Sequence, residues 1–96
     1  MDDLEIVSIL AWGKLPFKHN LRESEVENLI KRSKLFWEIC NCKQTDSLNC
    51  QINNVKVRIF KTGSINLQGR IKKDLVHGYN IILKEFEKYC PRILSE

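Results

Sequence analysis

Val55 to Gly69, VKVRIFKTGSINLQG, is the stretch that decides the fold. Val55, Val57 and Ile59 alternate with Lys56, Arg58 and Phe60. After Lys61-Thr62-Gly63 the alternation resumes, with Ile65 and Leu67 set against Ser64, Asn66 and Gln68. A period of two on both arms of a glycine-containing turn predicts a half-buried β-hairpin. One face is aliphatic and must pack on something. The other is wet, and Phe60 among its cations and amides is a candidate contact for a ligand.

Outward from the hairpin, Lys72 to Tyr89 carries the longest helical pattern. Leu75, Tyr79, Ile82, Leu83 and Phe86 recur at three and four, which places them on one face. Cys90-Pro91 ends that helix, because proline cannot continue it. Gly78 lies inside the pattern and is expected where the helix approaches the sheet; His77 falls beside the apolar stripe as a rim residue.

Upstream, Thr45 to Asn54, TDSLNCQINN, is polar and turn-rich, so residues 44–54 are expected to form a loop or an extended, ragged hairpin end. Leu35 to Lys43 returns to strand chemistry, with Trp37 and Ile39 on one side and Phe36, Glu38, Cys40 and Cys42 on the other. A helix of about three turns precedes it. Asn20 and Glu23 form a capping-box-like start, acidic residues precede basic ones along it, and Val26, Leu29 and Ile30 supply a stripe. Leu4 to Gly13 is apolar and β-branched and is expected to be a strand covered on both faces. A short helix closed by Gly13 and Pro16 is the competing reading.

The expected order is β-α-β-β-β-α in a single domain over residues 1–96. A sheet with its apolar positions on one side and two helices to cover them makes a two-layer α+β sandwich. Its other face is left open. Alternation places Phe36, Glu38 and Cys40, then Lys56, Arg58 and Phe60, then Ser64, Asn66 and Gln68 on that face.

Composition bounds the function classes. Hydrophobic residues at 43% and charged ones at 29% suit a globular chain with a core. No run approaches the roughly 18 apolar residues of a membrane span, and no basic region precedes an apolar one at Met1-Asp2-Asp3. An intracellular location, nuclear or in the cytoplasm or a viral factory, is therefore expected. A net charge of +4 suits a nucleic-acid partner, and the richness in Lys, Asn and Ile points to an A·T-rich genome.

Four cysteines, Cys40, Cys42, Cys50 and Cys90, raise a metal question, but Cys40-x-Cys42 lacks the usual zinc-knuckle spacing. Buried or half-exposed thiols, with no cofactor, are expected. No phosphate loop, metal cluster or nucleophile–base pair suggests an enzyme.

Arg58-Ile59-Phe60-Lys61-Thr62-Gly63 and Ser64-Ile65-Asn66-Leu67-Gln68-Gly69, followed by the long helix, resemble one repeat of the TATA-box-binding protein family. Glu5-Ile6-Val7-Ser8-Ile9 is similar to the family's opening strand and Leu35-Phe36 to the start of its second. The resemblance implies a curved antiparallel half saddle whose open face enters a widened minor groove of A·T-rich DNA in transcription initiation. Phe36 and Phe60 match the wedges that kink the duplex, and Val7, Ile9, Asn66 and Gln68 match groove contacts, with Lys56 and Arg58 beside them. Wedging costs a few kcal/mol per unstacked step, offset by the contacts that bent DNA allows. The family fuses two such repeats, so a second copy or another transcription protein is the implied partner. The alternative from the same residues is a protein-interaction module, with Phe36 and Phe60 as anchors inside a polar rim of Glu5, Glu38 and Arg58.

Overall fold

In the computed structural model, which describes residues 8–41 and 46–95, Val55–Phe60 and Ser64–Gly69 pair as the antiparallel hairpin their alternation predicts. The turn between them requires its glycine. Gly63 has φ 96°, and a Cβ there would stand 3.0 Å from both the Leu15 carbonyl oxygen and the Phe17 ring.

The chain is an α+β fold in the order β-α-β-β-β-β-α. Its elements are β1 (Ile9–Lys14), α1 (Glu23–Arg32), β2 (Glu38–Asn41), β3 (Asp46–Ile52), β4 (Val55–Phe60), β5 (Ser64–Gly69) and α2 (Lys72–Tyr89). A short 3-10 turn, Pro91–Ile93, closes the chain after α2. The strands form one open antiparallel sheet in spatial order β1-β5-β4-β3-β2.

One more strand is present than the sequence suggests. The segment 44–54, expected as a polar loop, contains β3, which pairs with β4 from Ser47↔Phe60 to Ile52↔Val55. Leu48, Cys50 and Ile52 are buried, whereas Asn49 and Gln51 lie on the opposite face. The polar half of an alternating strand dominates its composition, which is why it resembles a loop. A two-residue turn at Asn53-Asn54 joins β3 to β4, with Asn53 in the left-handed region (φ 52°) that asparagine tolerates.

The first strand also differs from expectation. It is not covered on both faces but forms one edge of the sheet, paired among the described residues with β5 alone, and Leu10 and Trp12 are exposed. Leu4, Glu5, Ile6, Val7 and Cys42 lie outside the described residues.

The core lies between the sheet and the helices. Val55, Val57, Ile59, Ile65 and Leu67 from the sheet meet Leu75, Ile82 and Phe86 of α2 and Leu29 of α1. Phe86 is wholly buried, with Phe17 and Trp37 packed against its ring at 5.2 and 6.4 Å between centroids. Gly78 sits where α2 meets the sheet, and a Cβ there would lie at ordinary contact distance, 3.4 Å from Leu67.

α1 begins later than its sequence signal suggests. Arg22, not Asn20, occupies the N-cap, and its backbone N–H donates to Glu25 Oε1 at 3.0 Å. Leu21 is buried just before it, and its N–H donates to the Lys61 carbonyl at 2.8 Å, so burial sets where the helix can start. Ile30, expected in the apolar stripe, is turned outward. α1 is fixed to α2 by Asn28 Nδ2, which donates to the Tyr89 carbonyl at 2.6 Å. Among the described residues no helix is long and apolar enough to cross a membrane.

Candidate nucleic-acid interface

Directly paired residues of neighbouring strands point to the same face of a sheet. Because Ile65 and Leu67 face the helices, Asn66 faces away from them. The pairs Trp12↔Asn66, Asn66↔Arg58, Arg58↔Asn49 and Asn49↔Glu38 then form one row across all five strands. A second row runs Leu10↔Gln68, Gln68↔Lys56 and Lys56↔Gln51. The two rows give the open face its chemistry: aromatic and aliphatic at the β1 edge, amides and cations in the middle, a carboxylate at the β2 edge.

A groove of about 800 Å³ lies over this face. Leu10, Phe36, Glu38, Lys56, Arg58 and Asn66 are among its lining residues. Arg58 Nε donates to Asn49 Oδ1 at 3.3 Å, which draws the guanidinium toward β3. Asn66 Oδ1 is closed off from solvent and has no hydrogen-bond partner among the described residues.

Phe36 stands proud of the groove at 92% exposure, although the residues on either side of it are anchored. Ser33 Oγ accepts from the Leu35 N–H at 3.1 Å and from Trp37 Nε1 at 3.0 Å, and donates to Glu85 Oε1 at 2.6 Å. Trp37 itself is buried against Phe86. A single hydroxyl thus ties the end of α1, the connector to β2 and the body of α2 together, and leaves the Phe36 ring outside.

Phe36, Lys56, Arg58, Phe60, Asn66 and Gln68 are all brought to the open side of the sheet, though Phe60, near its end, is half-buried. Ile9 is not. It pairs with Gly69, whose missing Cβ faces Leu75, so Ile9 belongs to the helix-covered side. A shift of one residue along a strand exchanges the faces, and the residues of β1 on the open face are Leu10, Trp12 and Lys14. Val7 lies outside the described residues. Trp12, Asn49 and Gln51 are absent from the sequence reading because β1 was expected to be covered and β3 to be a loop. The alternation Leu10-x-Trp12-x-Lys14 was the available signal.

The cysteines divide between the two faces. Cys40 pairs with Ser47 on the open side and is half-buried, whereas Cys50 is buried on the helix side. Side chains on opposite faces of one sheet do not converge on one ion, and Cys42 lies outside the described residues. Among the described residues no group of three or more His, Cys, Asp or Glu could hold a metal. Burial, with the Glu85 carboxylate second, pushes the Cys50 thiol up to about 12. Burial also raises the Cys90 thiol, with Glu25 adding to it. Neither is a reactive thiolate at neutral pH.

Compared with protein-family models, curated proteins and solved structures, the chain matches none.

Proposed function

We propose that the open sheet face binds A·T-rich DNA through the minor groove in the manner of a TATA-box-binding-protein half saddle, with Phe36 as its principal wedge. The observation that carries this is the exposure of Phe36 between two anchored neighbours. An apolar ring held in water at that exposure gains most by leaving it, and insertion between base pairs is one destination that also suits the cations and amides around it. Lys14, Lys56 and Arg58 outnumber Glu38 on the face, which favours a polyanion. Phe60, half-buried, is the lesser wedge. A second copy, or another protein of the transcription machinery, completes the surface.

Fluorescence-transfer measurement of duplex bending tests the reading. Phe36→Ala removes most of the bend while non-specific affinity, set by the cations, falls little; Phe60→Ala has the smaller effect. Affinity drops steeply with added salt, and light scattering with an A·T-rich duplex gives two copies per duplex where a second copy completes the surface, and one where another protein does. A full bend with Phe36→Ala refutes the wedge.

Glu38 on the face favours a second reading, a protein partner with Phe36 as its anchor, since a carboxylate opposes phosphate. Salt-insensitive binding to a protein in the absence of nucleic acid would select it.

A further inference from the structure

The geometry points to a second recognition element on the same face: Trp12 and Asn66 form a site for one unpaired nucleobase that carries an exocyclic amine, within a single strand of nucleic acid. It shares the open face with the duplex reading but requires neither a Phe wedge nor a bent duplex.

Trp12 is 68% exposed on the edge strand, with its ring outside the core and, among the described residues, no partner strand beyond it. A flat exposed indole is a stacking platform for any base, and such stacking is sequence-tolerant. Selectivity must come from the group beside it. Asn66 is the direct cross-strand neighbour of Trp12, and its Oδ1 is, among the described residues, the buried side-chain acceptor left without a donor. A buried acceptor left unsatisfied is unfavourable, and a ligand N–H would recover that loss.

The neighbours on the face do not meet that need. Arg58, the other cross-strand partner of Asn66, donates to Asn49 instead. An amine-bearing base stacked on Trp12 brings an N–H donor to the place where one is lacking. Oδ1 is covered, so binding requires the side chains around it to shift, and its cross-strand neighbour Arg58 is exposed and free to move while Trp12 holds the base. Lys14 and Lys56 stand on either side of the central row, where they can follow the phosphates of the strand.

The test is a fluorescence-anisotropy titration of the whole chain at low salt into dye-labelled oligo(dC), oligo(dT) and an abasic oligomer of equal length. The two pyrimidines stack similarly but differ in presenting an amine or a carbonyl. Oligo(dC) is expected to bind roughly three- to tenfold more tightly than oligo(dT), the worth of one hydrogen bond at an otherwise unsatisfied group. Both should quench the emission of Trp12 and bind more tightly than the abasic strand.

Asn66→Ala should remove the difference between the two pyrimidines, and Trp12→Ala should bring both down to the abasic level. Buried Trp37 reports that each variant is folded. Asn66→Asp keeps an acceptor and should keep the oligo(dC) preference at lower overall affinity. Equal affinity of the unmodified chain for the two pyrimidines overturns the proposal, as does a preference that survives Asn66→Ala or is lost in Asn66→Asp. Binding of the abasic strand as tight as that of oligo(dC) also overturns it. Failure here leaves duplex bending by Phe36 untouched, and loss of duplex bending leaves the pyrimidine preference to be read independently.

Discussion

The two faces of β4 are made by the same six residues and do opposite things. Val55, Val57 and Ile59 are sealed under α2, while Lys56 and Arg58 point into an open groove. The same division holds along β5, where Ile65 and Leu67 are buried and Gln68 is exposed. A pleated strand lets selection for stability and selection for binding act on alternate residues, with little interference between them. Substitutions on one side should therefore move stability, and on the other should leave it nearly unchanged.

The largest expected effect breaks the covered side. Phe86→Ala empties the space between Phe17, Trp37 and the sheet and should cost about 3–5 kcal/mol in a denaturant melt, a loss typical of buried aromatic truncation. Next is Gly63→Ala, which forces a side chain into left-handed backbone against Leu15 and Phe17 and should cost about 1–3 kcal/mol. A loss of less than the lower figure would mean that the hairpin turn relaxes freely.

The buried thiol gives a pH-dependent version of the same contrast. Cys50 holds its proton in the folded chain to about pH 12, against 9.0 for an ordinary thiol. The unfolded chain thus loses that proton first. The contribution is fully present below pH 9.0, erodes as pH rises and is lost by about pH 12. Cys50→Val should flatten this fall in melts taken across that window.

Two smaller effects sharpen the comparison. Gly78→Ala places a methyl at ordinary contact distance from Leu67 in a helix interior, and should raise stability by about 0.5–1 kcal/mol. Smallest of all, Phe36→Ala should shift the melt by no more than about 0.5 kcal/mol, since an exposed ring contributes little to folding. A large destabilisation there would make Phe36 a structural residue and remove the argument from its exposure.

Much of this architecture is legible in the amino-acid sequence. Strict alternation in VKVRIFKTGSINLQG gave both arms of the hairpin and assigned each residue to its face, and the three-and-four spacing from Leu75 to Phe86 gave α2. Less visible were the elements whose chemistry is shared with other structures. β3 is half polar because one of its faces is open, so Ser47, Asn49 and Gln51 read as loop residues. In β1, an apolar composition concealed an edge strand, because exposure depends on what lies beside a strand and not on its own residues.

Periodicity alone determined that this chain has one sheet with an oily side and a wet side, since the pattern of apolar residues is local and backbone geometry repeats. Only the tertiary structure decided which strand lies at the edge and which register β1 takes against β5. Those choices place Trp12 beside Asn66, and they rest on pairings between residues fifty or more positions apart. No local pattern encodes them, because they depend on which distant strand shields each backbone edge.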